Sequence, residues 1–165
     1  MPKFSALVYA QSEGSSSLER TLRSLQIADD VLLINADDAD EIRELGRRFR
    51  TRIKTGIPGV TPGAYVMDTY YDWILVLRPG EAVSDELCQS LSDWRRQKRN
   101  DDLGFRFAVL GQDGGNWRQR PTELRLVNRR KINWIGELPP NTDAPSLRGP
   151  ILRYETESPA RQIAS

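Results

Sequence analysis

The chain of 165 residues contains no histidine and a single cysteine. Without histidine it lacks the commonest neutral-pH general base and the commonest transition-metal ligand. A Ser-His-Asp triad and any His-bearing metal centre are therefore excluded. One thiol, Cys88, permits no internal disulfide. The opening Met1-Pro2-Lys3-Phe4 lacks a basic region followed by a long apolar stretch, so a cytoplasmic protein without a leader is expected. No apolar run exceeds five residues, the length of Trp73 to Leu77, and this is too short for a transmembrane helix. Charge of one sign is lacking too. The 24 Lys and Arg against 23 Asp and Glu leave a net charge of +1, so no whole-molecule field draws in nucleic acid or an anionic membrane.

What is present has the balance of a globular protein: 38% hydrophobic and 28% charged residues are ordinary values, and the length suits one domain. The first half alternates strand-like and helix-like patterns. Phe4 to Ala10 reads as a buried strand. Ser16 and Glu19 have capping-box spacing, and Leu18, Leu22 and Leu25 follow as one helical stripe. Asp30 to Asn35 reads as a second strand. Asp38 to Glu41 opens a second helix with acids in its first turn. Ile42, Leu45 and Phe49 form its buried stripe, and Arg47, Arg48 and Arg50 crowd its end. Thr51 to Lys54 is a short third strand. A Gly- and Pro-rich loop then leads to a helix from Pro62 to Tyr71.

Trp73 to Leu77 is continuously apolar, as a strand at the centre of a covered sheet must be. Arg78-Pro79-Gly80 must turn. Ser84 caps a further helix whose inner face carries Leu87, Leu91 and Trp94. The strand–helix alternation predicts a three-layer α/β/α fold with a mostly parallel central sheet. In the second half, Leu103 to Leu110 and Thr122 to Val127 read as strands about a Gly-rich turn, and Ile132 to Ile135 as a further short one. Five of the ten prolines lie from Pro139 onward. The expected organisation is one domain over 1–138 and an extended Pro-rich tail over 139–165.

Several segments together resemble family 2 glycosyltransferases of the GT-A, nucleotide-diphospho-sugar-transferase type. Ala28 to Asp40 is similar to their second strand, usually A-D-E-I-V-V-V-D-S-G-S-T-D, and the following helix ends Arg47-Arg48-Phe49 like their R-R-F. Ala10 to Glu13 sits where those enzymes carry T-Y-N-E. Leu18 to Leu25 is similar to I-E-R-C-L-E-S-L, and Asp72 to Leu77 to D-W-I-L-x-L. The likeness is greatest to bacterial members that build lipopolysaccharide core sugars. It covers residues 4 to about 99 and weakens from Phe105 to Leu138.

The resemblance implies a nucleotide-sugar site at Ala10, Glu13, Asn35, Asp37, Arg78 and Glu81. It also exposes departures. The leaving diphosphate in such enzymes is usually neutralised by a divalent ion held by carboxylates. Where the family carries D-A-D-E, this chain has Arg78-Pro79-Gly80-Glu81. Arginine offers no oxygen ligand, so no metal cofactor is expected. The family's base-reading aspartate is Asn35, and its late H-E pair is incomplete. The expectation is a non-catalytic module, a pseudoenzyme that binds a nucleotide, nucleotide-sugar, glycan or protein partner. The alternative is a metal-independent transferase in which Arg78, helped by Arg125, supplies the positive charge.

Simpler roles stand beside these. Asp37, Asp38 and Asp40 suit helix capping, and Arg78-Pro79-Gly80 suits a plain β-turn. Trp73, Trp94 and Trp134 suit the core, whereas Trp117 is the better stacking candidate.

Overall fold

The computed structural model describes residues 2–11, 15–97 and 101–155. Among these residues, eight strands form one sheet: β1 (Phe4–Ala10), β2 (Asp30–Asn35), β3 (Arg52–Thr55), β4 (Trp73–Leu77), β5 (Glu81–Val83), β6 (Gly104–Asp113), β7 (Asn116–Asn128) and β8 (Ile151–Arg153). Three α-helices accompany them: α1 (Ser15–Ser24), α2 (Asp40–Arg48) and α3 (Asp85–Arg95). The strand order is β3-β2-β1-β4-β7-β6-β8-β5. The first four strands run parallel, β7 opposes β4, β6 opposes β7, β8 runs parallel to β6, and β5 opposes β8.

This order requires the sheet to curl. Only Arg78-Pro79-Gly80 separate β4 from β5, and their chain reaches roughly 14 Å at most. A flat sheet would set β5 four strand spacings from β4, about 19 Å away. The far edge therefore bends back towards the end of β4.

Strand alternation sorts the core into two layers. Phe4, Ala6, Val8 and Ala10 of β1 face the three α-helices, meeting Leu18 and Leu22 of α1, Ile42 of α2, and Leu87, Leu91 and Trp94 of α3. Leu7, with Ile34 of β2 and Val76 of β4, faces the other way and packs on Tyr65, Val66 and Trp134. That second cover is a 3-10 helix, Pro62–Asp68, followed later in the chain by irregular backbone around Trp134. The α/β class stands as expected, but one of the two outer layers is not α-helical. No helix among the described residues is long and apolar enough to cross a membrane.

Several local expectations are corrected. Ser16 lies within α1 and does not precede it. Asp38 is a left-handed residue (φ 51°) before α2, whose N-cap is Ala39. Ile132 to Ile135 has no ladder partner and is not a strand; Trp134 is buried in the second layer while Ile135 is exposed. The stretch from Pro139 onward is not a detached tail over its described part, because β8 lies between β5 and β6 in the sheet. Residues 156–165 lie outside the described residues.

Candidate functional site

In an open α/β sheet, ligands settle beyond the carboxyl ends of strands where the strand order reverses. Here β2 and β3 lie on one side of β1 and β4 on the other, so the reversal falls between β1 and β4. Ala10 ends β1, Asn35 ends β2 directly opposite it, and Arg78 follows the last residue of β4. Asp37 is exposed on the turn after β2. Glu13 lies outside the described residues.

Each of these positions has a local cause. Arg78-Pro79-Gly80-Glu81 is a β-turn closed by the Glu81 N–H on the Arg78 carbonyl at 3.0 Å. Pro79 presets the second position, and Gly80 takes the positive φ, 93°, that a type II turn requires at its third. The Thr21 hydroxyl of α1 accepts the Gly80 N–H at 3.0 Å and anchors the turn from outside. The Arg78 side chain is 41% exposed, with one terminal nitrogen 3.6 Å from Glu81.

Glu81 points inward and is 1% exposed. Both its oxygens are paired with Arg125, at 2.7 Å each, and Arg125 is itself fully buried. The Arg78 N–H donates to the same carboxylate at 2.8 Å, and Arg153 at 3.0 Å. Burial would raise this carboxyl, but the hydrogen bonds and charge of Arg125, with the Arg78 N–H and guanidinium, hold it down to about 2. Burial likewise opposes the Arg125 charge, and Glu81 and Glu123 more than restore it. Glu81 is thus a buried counter-ion that ties β5, β7 and β8 together under the turn. Arg125, expected as a helper to Arg78, is committed to it and does not reach the surface.

Asn35 is also turned inward. Its amide nitrogen donates to the Ala39 carbonyl and its oxygen accepts the Ala39 N–H, both at 2.9 Å. The side chain is fully buried and fastens the β2–α2 loop. Nearby, burial and then the neighbours Tyr65, Asp37 and Glu137 raise the Tyr9 hydroxyl, which keeps it a proton donor.

A divalent ion does not fit the end of β4. Arg78 and Pro79 present no side-chain oxygen, and the Glu81 oxygens are saturated by arginines. Among the described residues, no three His, Cys, Asp or Glu side chains lie close enough together to hold a metal ion.

The structure adds two residues that sequence reasoning missed, Tyr154 and Arg20. Tyr154 follows β8 and its N–H binds the Gly80 carbonyl at 2.9 Å. The Arg20 guanidinium of α1 lies 3.8 Å from its ring centre. Trp117 meets the same ring edge to face, 4.9 Å between centres, and stays 41% exposed. Arg20 and Tyr154 left no usable signal, because one lies on a helix that reads as generic and the other in the segment read as a tail. Trp117 did, since it follows a Gly-rich turn.

No protein-family model matches the chain, and no curated protein matches its sequence. Solved structures do. 4-diphosphocytidyl-2C-methyl-D-erythritol synthase aligns with a TM-score of 0.51 at 16% identity, over 76% of this chain and 75% of that one. The 1–349 fragment of TarS from S. aureus aligns with a TM-score of 0.48 at 17% identity, over 72% of this chain and 38% of that one. Glucosyl-3-phosphoglycerate synthase from Mycobacterium tuberculosis, solved with Mn²⁺ and uridine diphosphate, gives 0.44 at 12%, over 69% and 45%. The chain thus spans well under half of the TarS fragment. The fold is α/β, shared with the 4-diphosphocytidyl-2C-methyl-D-erythritol synthase. At these identities the likeness establishes the fold and nothing finer.

Proposed function

We propose that this chain is a non-catalytic module of GT-A type that binds a nucleoside diphosphate or its sugar ester without a divalent ion. The observation that carries this reading is the Arg78 turn. A half-exposed guanidinium stands at the strand-order reversal, on a backbone pinned from below by buried Glu81 and from outside by Thr21. A fixed cation there complements a diphosphate without metal, and arginine's planar fork suits phosphate oxygens. Arg20 adds positive charge beside the turn. Family 2 affinity and a bacterial origin belong to this proposal and rest on the sequence resemblance; a cytoplasmic setting belongs to it too and rests on the single cysteine.

Calorimetry with UDP, GDP and CDP, with Mn²⁺ or with EDTA, tests it. Binding should be indifferent to EDTA and fall by about tenfold or more in Arg78→Ala, the loss of one charged hydrogen-bonding partner. Absence of binding to every diphosphate would refute the reading. The same exposed Arg78 favours a second reading, a metal-independent glycosyltransferase. Sugar release from a panel of UDP- and GDP-sugars separates the two, since the non-catalytic module should show no turnover above the uncatalysed rate.

A further inference from the structure

The opposite, amino-terminal edge of the sheet holds a cleft of about 620 Å³. It lies between the C-terminal ends of α1 and α2 and the first residues of β2 and β3. Its volume is that of a small-molecule site. Leu22, Leu25, Val31 and Phe49 give it apolar walls, and Arg48, Arg50 and Arg52 give it charge.

These three arginines are not equivalent. Arg52 is committed to Asp30, at 2.8 and 2.9 Å, and its guanidinium lies 3.6 Å from the centre of the Tyr70 ring. Its work is to hold that ring at the cleft, where Tyr70 remains 65% exposed with a face available for stacking. Arg48 pairs with Glu19 at 2.7 Å, and Asp29, also in the wall, pairs with Arg95. Arg50 has no side-chain partner among the described residues.

The backbone at Arg50 is unusual. Its φ is 57°. The Thr51 N–H binds the Gly46 carbonyl at 2.9 Å and the Arg50 N–H binds the Arg47 carbonyl at 3.1 Å. Together these form a Schellman motif, and Arg50 occupies the left-handed position that glycine ordinarily fills. A cation is held there against backbone preference.

We infer that this cleft binds an aromatic anion, with its ring against Tyr70 and the apolar walls and its acid group on the Arg50 guanidinium. The site is separate from the Arg78 turn, which lies at the other end of the strands. Calorimetry on the full chain with phenyl phosphate tests it, with inorganic phosphate and phenol as the component probes. Phenyl phosphate should bind once per chain, about tenfold tighter than either component. Arg50→Gly suits the positive φ, so it removes the cation without harming the fold, and it should weaken phenyl phosphate about tenfold. Tyr70→Ala should do the same. Equal affinity in Arg50→Gly and the parent, inorganic phosphate binding as tightly as phenyl phosphate, or no binding of phenyl phosphate would each overturn the inference.

Discussion

Glu81 carries a negative charge into the interior because Arg125 receives it on two parallel hydrogen bonds. Removing one partner of such a pair leaves the other desolvated and unmatched, which typically costs about 3–5 kcal/mol. Arg125→Met should lower the urea midpoint accordingly. The same carboxylate makes stability depend on acid. Its folded value is about 2 against an ordinary 4.5, so between these pH values the unfolded chain binds more protons. The contribution is complete above the unfolded value and is lost as pH falls through 4.5 towards 2. It is on the order of 3 kcal/mol for a shift of this size. Unfolding free energies measured across that window should fall more steeply in the parent than in Glu81→Gln. Arg50 supplies a prediction of opposite sign. Glycine relieves the left-handed strain, so Arg50→Gly should raise the melting temperature, by an amount worth about 0.5–1 kcal/mol.

Among the elements, α3 shows local signals and packing in agreement. Ser84 is its N-cap, accepting the Leu87 N–H at 3.2 Å and donating to the Pro150 carbonyl at 2.6 Å. Asp85 and Glu86 complement the dipole in its first turn. Ser84→Ala should lose about 1 kcal/mol by thermal denaturation. The Pro150 contact shows how the C-terminal segment is threaded. Gly149 has φ 99°, and a Cβ there would overlap the Leu87 backbone nitrogen. Gly149→Ala therefore forces β8 away from α3, and should destabilise by more than the Ser84 variant in the same measurement.

Over the whole molecule, the sheet is a parallel half joined to a curled half, and the Arg78 turn lies where they meet. The curled half is held by β8, which alone connects β5 to β6. Truncation after Arg148 should therefore do more than remove a tail. It unpairs β5, strips Arg153 from Glu81 and removes Tyr154 from the Gly80 carbonyl. The truncated chain should lose cooperative unfolding, and with it any diphosphate affinity measured for the parent.

Strands β1, β2 and β4 were legible from sequence to the residue, because each is a dense apolar run bounded by polar or turn-forming residues. The inner face of α3 was legible for the same kind of reason: Leu87, Leu91 and Trp94 recur at helical spacing behind a capping serine. The Arg78-Pro79-Gly80 turn was legible because proline and glycine have few other places to go. β5 and β8 were not. Each has three residues, too few to show a period, and they find one another across some seventy positions of chain. Nor could sequence tell that Glu81 and Arg125 would be buried together. A charged residue is read as solvent-facing until a partner is brought to it, and only the curl of the sheet brings these two within hydrogen-bonding distance. The chain's own pattern thus determined which segments are strands and where the turn falls. The tertiary structure alone decided which arginine stays exposed at that turn and which is spent neutralising the carboxylate beneath it.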